Sequence, residues 1–242
     1  PRPYPTLAPS PPTPPASTPP LACSLPSLCS ALFTTLFDGF DPGPTYSPNA
    51  TDAGKRALRN TALKFLTGPD TDRARAHYFD ATNMTDRMAA FTLLIEQTDE
   101  EVIADFAKTW ANDRLVMDKF YMLTLLHERG GAADQLATAY TGYDDFDWTN
   151  PNRVRSVLGG LAANHAGFNA AHGGGYQVMA DGLLTLDPIN PQTAARLSTA
   201  FQNWRRYDAD RQALAQAQLE RIAGTDGLSR DLGEMVARML DS

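Results

Sequence analysis

The chain has 242 residues, 43% of them hydrophobic, with a formal net charge of −7 and an isoelectric point near 5.0. That is ample apolar material for one large or two small cores, while the acidic balance lacks the basic surface that phosphate backbones require, so no nucleic acid is expected as a partner. No apolar run reaches the roughly 18 residues of a membrane-spanning helix, so no membrane partner is expected either.

Of the 18 prolines, 14 fall within the first 48 residues. Residues 1–27 are rich in proline, serine and threonine and almost uncharged, a composition suited to polyproline II or disorder rather than to a packed core. This stretch reads as an unstructured extension or an artefactual start, with a linker or a ligand for a proline-binding domain as the alternatives. Residues 28–45 read as a partial helix and linker. The apolar stretch from Leu21 to Phe37 is broken by Pro26 and preceded only by Arg2, so no secretory signal is expected. Cys23 and Cys29 are read as incidental thiols, although their spacing permits a disulfide. The helical body has no cysteine, which suits a reducing cytoplasm.

From residue 46 onward the pattern is helical throughout. Ala53, Ala57, Leu58, Ala62, Leu63 and Leu66 recur at helical spacing, and Gly68-Pro69 ends that run. Further helices are predicted over 70–81, from Thr85 through Ile95, over 99–111 with Val102, Ile103, Phe106 and Trp110 on one face, and over 115–127 up to Gly130-Gly131. The remainder reads as helices over 132–140, 152–163, 175–186, 191–204, 208–223 and 229–240. No alternating strand pattern appears. Short helices with short polar joints predict an all-α superhelix, or solenoid, of antiparallel helix pairs.

Asn150-Pro151 is a strong helix start, and it introduces Arg153 and Arg155 into an otherwise small and apolar helix. The two leave the helix about 200° apart, so they cannot share a face: one is expected to pair within the protein and the other to point outward. A guanidinium can hold a carboxylate bidentately, and a structural salt bridge is the competing reading of each. Asp118 and Lys119 diverge on their helix, which favours pairing with neighbouring helices over an acid–base pair. Asp208 is placed as a helix cap, with Arg206 and Arg211 beside it. The run His172-Gly173-Gly174-Gly175-Tyr176 lacks the lysine of a phosphate loop and reads as a flexible turn, with Tyr176 available to border a cavity. Asp144, Asp145 and Asp147 lack the glycine and glutamate of a calcium loop and read as an acidic surface. Asn49-Ala50-Thr51 and Asn83-Met84-Thr85 match the glycosylation sequon, but capping explains both asparagines.

Five segments together carry a family likeness: Asn150 to Ser156; Leu115 to Phe120; Asn83 to Asp86; Asn190-Pro191-Gln192 with Arg196; and Arg206-Tyr207-Asp208 with Arg211. Taken in chain order, they resemble the C-terminal helical domain of bacterial aminopeptidase N, a zinc metallopeptidase. The likeness runs over 46–242, with a weaker match back to about residue 28. It implies a superhelix of HEAT- or armadillo-like pairs whose concave side faces the catalytic domain, its expected partner. It also implies that Arg155 and Arg196 line the inner cavity and contact peptide substrate, with Arg153 and Tyr176 as weaker candidates.

Zinc in such an enzyme needs His-Glu-x-x-His, two imidazoles one helical turn apart with a glutamate base between them. This chain has four histidines, and its one His-Glu pair, His127-Glu128, is followed by Arg129-Gly130-Gly131. The Gly-x-Met-Glu-Asn amine-binding motif of the family is absent as well. The expected cofactors are therefore none in this chain and zinc in the parent enzyme, with no catalytic residue here. A stand-alone helical scaffold that binds a protein or peptide in its concave groove is the alternative.

Overall fold

The computed structural model describes residues 27–43, 45–68, 71–144 and 146–241. The proline-rich stretch over 1–26 lies outside them, as does Cys23. Among the described residues all regular structure is helical: α1 (Ser27–Gly39), α2 (Ala50–Leu66), α3 (Asp72–Asp80), α4 (Met84–Glu96), α5 (Glu100–Trp110), α6 (Arg114–Leu126) and α7 (Ala133–Thr141) come first. They are followed by α8 (Pro151–Ala163), α9 (His165–Phe168), α10 (Gly174–Leu186), α11 (Pro191–Ser198), α12 (Ala209–Ala223) and α13 (Arg230–Asp241), with 3₁₀ turns at Thr199–Phe201 and Trp204–Arg206. The all-helical expectation holds.

Contacts divide the chain into two compact units, Pro1–Thr109 and Trp110–Ser242. In the first, α1 packs on α2, α2 on α4 and α3 on α4. Its helices start where short polar side chains can satisfy free amides: Asn49 accepts from the Asp52 N–H at 2.8 Å and Asn83 from the Asp86 N–H at 3.0 Å. Both sequon asparagines are thus helix caps. The core is aromatic, with Phe91 and Phe106 stacked at 4.1 Å between centroids and Tyr78 beside them, its hydroxyl donating to Asp105 at 2.8 Å. Arg75 ties α3 to the start of α5 through Asp99 and Glu101.

In the second unit α6 packs on α8, α7 on α8, α10 on α7, α11 and α12, and both α11 and α12 on α13. Leu158, Leu161, Phe168, Tyr176, Leu183, Phe201 and Leu219 are all buried, and each such side chain contributes about 1.5–3 kcal/mol relative to exposure. The crossing of α6 and α8 is close because Gly160 has no side chain: a Cβ there would lie 3.1 Å from the Met122 carbonyl oxygen and 3.2 Å from Leu125 Cβ.

The single helix expected over 191–204 instead breaks after Ser198. The Ser198 hydroxyl donates to the Ala195 carbonyl and the Thr199 hydroxyl to the Arg196 carbonyl, both at 2.7 Å. These side chains compete with the helical ladder for its acceptors, and the backbone tightens into 3₁₀ turns. The turn carries Trp204 inward, where its indole N–H donates to the Met239 carbonyl of α13 at 3.1 Å.

Candidate functional site

The Asn150-Pro151 start of α8 is built as its sequence implies. Asn150 accepts from the Asn152 N–H at 3.0 Å, with Pro151 in the first turn, where its missing N–H costs nothing. The two arginines then part. Arg153 turns inward, is buried, donates through Nε to Asp118 Oδ1 at 2.6 Å and lies 4.8 Å over the Tyr121 ring. Arg155 turns outward, one helical turn before Gly159.

Arg155 borders an open cavity of about 560 Å³, with Arg196 of α11 also in its lining. The remaining wall is mostly small or hydroxylated, with Gly159, Ala162 and Ala163 on α8, Thr193 on α11 and Thr199 and Ala200 beyond it, and it is completed by Gln192 and Leu197 of α11. No carboxylate lines this space. Arg155 is held by its own helix, with Nε donating to the Pro151 carbonyl at 3.0 Å and Nη2 to Asn152 Oδ1 at 2.6 Å. Arg196 has no side-chain partner among the described residues, and both arginines are exposed. Both guanidiniums carry the N–H donor pairs that match a carboxylate's two oxygens, and the lining they share holds no carboxylate.

Tyr176 lies elsewhere. It is buried against Phe168 and Phe201, and its hydroxyl donates to Asn169 Oδ1 at 2.9 Å. Burial pushes its phenol up to about 12, with the neighbouring Tyr207 adding to the effect. The glycines before it form a close-packed turn rather than the flexible one expected. Gly173 has φ +74°, and a Cβ on Gly175 would lie 2.4 Å from the Phe168 carbonyl oxygen. Glycine is required there by α9, whose four residues were not legible in the sequence. Asp208 caps α12 through the Arg211 N–H at 3.1 Å, and Arg211 also reaches the Asn169 carbonyl at 2.6 Å.

The first unit holds a polar network that the sequence reading missed. His77 Nε2 lies 2.9 Å from Asn60 Oδ1, Asn60 Nδ2 donates to Asp86 Oδ1 at 2.8 Å, and Asn83 Nδ2 donates to Asp86 Oδ2 at 2.8 Å. Because Asn60 spends its amide on the carboxylate, its oxygen accepts, and Nε2 of His77 is the donor. The network borders a second cavity of about 540 Å³. Its local signal is the Asn83-x-x-Asp86 start of α4; the contributions of Asn60 and His77 depend on tertiary packing.

Two of the four histidines are engaged with protein partners. His77 is bound to Asn60, and His172 pairs with Asp134 at 3.1 Å. Among the described residues no three His, Cys, Asp or Glu side chains are grouped as metal ligands.

Residues 20–241 match a family described as a domain of unknown function (DUF3458_C) with ARM repeats. The chain belongs to this ARM-repeat family. This ARM-repeat chain is 34% identical over 202 residues to aminopeptidase N of Haemophilus influenzae and 34% identical over 205 residues to aminopeptidase N of Escherichia coli. Each alignment covers 81% of the chain but 23% of the relative, so the ARM-repeat chain spans about a quarter of the length of these enzymes. Among solved structures, Legionella pneumophila aminopeptidase A in complex with aspartic acid superposes with a TM-score of 0.75 at 28% identity, covering 88% of this chain and 28% of that one. The chain is homologous to the C-terminal helical domain of aminopeptidase N. No helix among its described residues is long and apolar enough to cross a membrane.

Proposed function

We propose that this chain serves as the C-terminal helical domain of an aminopeptidase N-type enzyme, where it closes the chamber in which peptides are trimmed. In this reading Arg155 and Arg196 hold the far end of the peptide by its terminal carboxylate. The observation that carries the reading is the convergence of two arginines, 41 positions apart in sequence (196 − 155), on one cavity without a lining carboxylate. Without a local counter-ion, an incoming anion does not have to displace one.

The partner is the catalytic part of the same enzyme. Homology to aminopeptidase N supports it, and so do Leu32, Phe65 and Phe79, large apolar side chains left exposed on α1, α2 and α3. In this reading zinc and its His-Glu-x-x-His ligands belong to that catalytic part, a motif that the sequence of this chain does not contain. No step of peptide cleavage is assigned to residues here. Residues 46–242 contain no cysteine, in keeping with a reducing cytoplasm.

The test is kinetic. In the full-length enzyme carrying this chain, Arg155→Ala or Arg196→Ala should raise KM for peptides and leave single-residue anilides unaffected, because only a peptide reaches the distal cavity. Each charge-assisted contact contributes about 1.5–3 kcal/mol, or roughly ten- to a hundredfold in apparent affinity. Equal effects on peptides and anilides would remove the arginines from peptide binding.

A further inference from the structure

α8 carries two adjacent glycines with different physical reasons for their presence. Gly160 faces α6, where a Cβ would press on the Met122 carbonyl and on Leu125. Gly159 lines the arginine cavity, and a Cβ built on it meets nothing within 4 Å. Nor does Gly159 adopt a positive φ that would require glycine. Glycine in a helix interior is destabilising relative to alanine, so at Gly159 neither backbone nor packing accounts for that loss. What its missing side chain does is keep open the space between Arg155, one turn earlier on the same face, and the first turns of α11.

That space exceeds what a carboxylate needs. At about 560 Å³ the cavity is of the size that takes a small organic ligand, and beyond the two guanidiniums and the Gln192 amide its wall is largely alanine, leucine and threonine carbon. We infer that Gly159 is a specificity-determining residue: it leaves room for the side chain of the peptide's last residue, so the cavity takes peptides ending in a medium-sized apolar residue as well as their terminal carboxylate. This inference rests on the peptide-binding reading of Arg155 and Arg196. A larger residue at 159 fills the room while leaving both guanidiniums in place.

The full chain can be titrated with Ala-Ala-Leu, its C-terminal amide and Ala-Ala-Gly, with binding followed by NMR and folding by thermal unfolding. The wild type should prefer the Ala-Ala-Leu acid to the amide. Gly159→Leu should lose about tenfold or more in affinity for Ala-Ala-Leu, the scale on which a pocket senses a missing or added methylene, while keeping that for Ala-Ala-Gly. Gly159→Ala should raise Tm by about 2–4 °C, as expected for a helical Gly→Ala change in open space, whereas Gly160→Ala should lower it. If the wild type does not discriminate acid from amide, the arginine reading itself fails. If it does, but Gly159→Leu binds both peptides as the wild type does, or loses both equally, the size gate alone is overturned. Should Gly159→Leu fold poorly, a Tm loss in Gly159→Ala overturns the claim that the glycine faces open space, and a Tm gain with an undiminished preference for Ala-Ala-Leu over Ala-Ala-Gly overturns the size gate. A Tm gain in Gly159→Ala with a reduced preference for Ala-Ala-Leu over Ala-Ala-Gly supports it.

Discussion

Arg153 of α8 and Asp118 of α6 form a buried ion pair, Nε to Oδ1 at 2.6 Å, with the guanidinium also resting 4.8 Å over Tyr121. The side chains are 8% and 13% exposed, so neither charge can turn to water when the other is removed. Arg155, two residues on, makes only local bonds along its own helix surface. The same helix start therefore supplies one arginine to the core and one to the cavity.

Arg153→Ala leaves Asp118 as an uncompensated charge and should cost about 3–5 kcal/mol in urea unfolding. Arg155→Ala should change stability by no more than about 0.5 kcal/mol, as at surface sites without a buried partner. Joining Arg153→Met with Asp118→Leu should recover most of the loss, because the pair repays its own desolvation poorly. A small loss from Arg153→Ala alone would mean that water reaches the pair.

Helix starts were legible in the sequence because capping is local: Asn83, Asn150 and Asn190 each bond amides within three residues of themselves. The opposed directions of Arg153 and Arg155 were equally legible, since helical geometry sets them. Which of the two turns inward was not, because Asp118 is 35 residues away. The split of the 191–204 segment was hidden for another reason. Its apolar spacing at Ala194, Leu197, Phe201 and Trp204 continues through the break, and only the hydroxyls of Ser198 and Thr199 interrupt it. Gly159 and Gly160 read alike in sequence, and only the neighbouring helix tells them apart.

Thr98 joins α4 to α5 at φ +57°, in the left-handed region that a β-branched side chain disfavours. Its N–H is held by the Ile95 carbonyl at 2.9 Å, so the conformation is imposed by the end of α4. Thr98→Gly relieves the clash but frees the unfolded chain, for a net gain of about 0.5–1 kcal/mol. The urea midpoint should rise without a change in slope. A fall would show that the threonine side chain is held in a way that offsets the strain.

Tyr176 makes the fold alkali-sensitive. Its phenol stands at about 12 in the folded chain, raised from 10.0 chiefly by burial, so the folded state prefers the protonated form. That stability is whole below pH 10 and is lost as pH rises through 12. Tyr176→Phe removes this sensitivity but strands Asn169 Oδ1, and should cost about 1–2 kcal/mol at neutral pH. Tyrosinate absorbance should show this phenol titrating above the ordinary range. Titration at the ordinary tyrosine value would mean that the ring is open to solvent.

His77 should make the fold acid-sensitive at a milder pH. Burial is the first cause lowering its pKa, with Arg59 of α2 acting in the same direction and Asp86, Asp41 and Asp80 opposing both. A lowered pKa means that the folded chain prefers neutral imidazole. The associated stability is present above the unfolded value of about 6.5 and is lost as pH falls through the folded one. The hydrogen bond from Nε2 to Asn60 persists with the ring charged, so the loss comes from placing a cation in a buried site beside Arg59. Unfolding free energies measured from pH 7.5 to 5 should fall with a slope no steeper than about 1.4 kcal/mol per pH unit for this one proton. His77→Gln keeps a donor for Asn60 and cannot titrate, so it should flatten that part of the profile. Equal acid sensitivity in the wild type and in His77→Gln would assign the effect to another group.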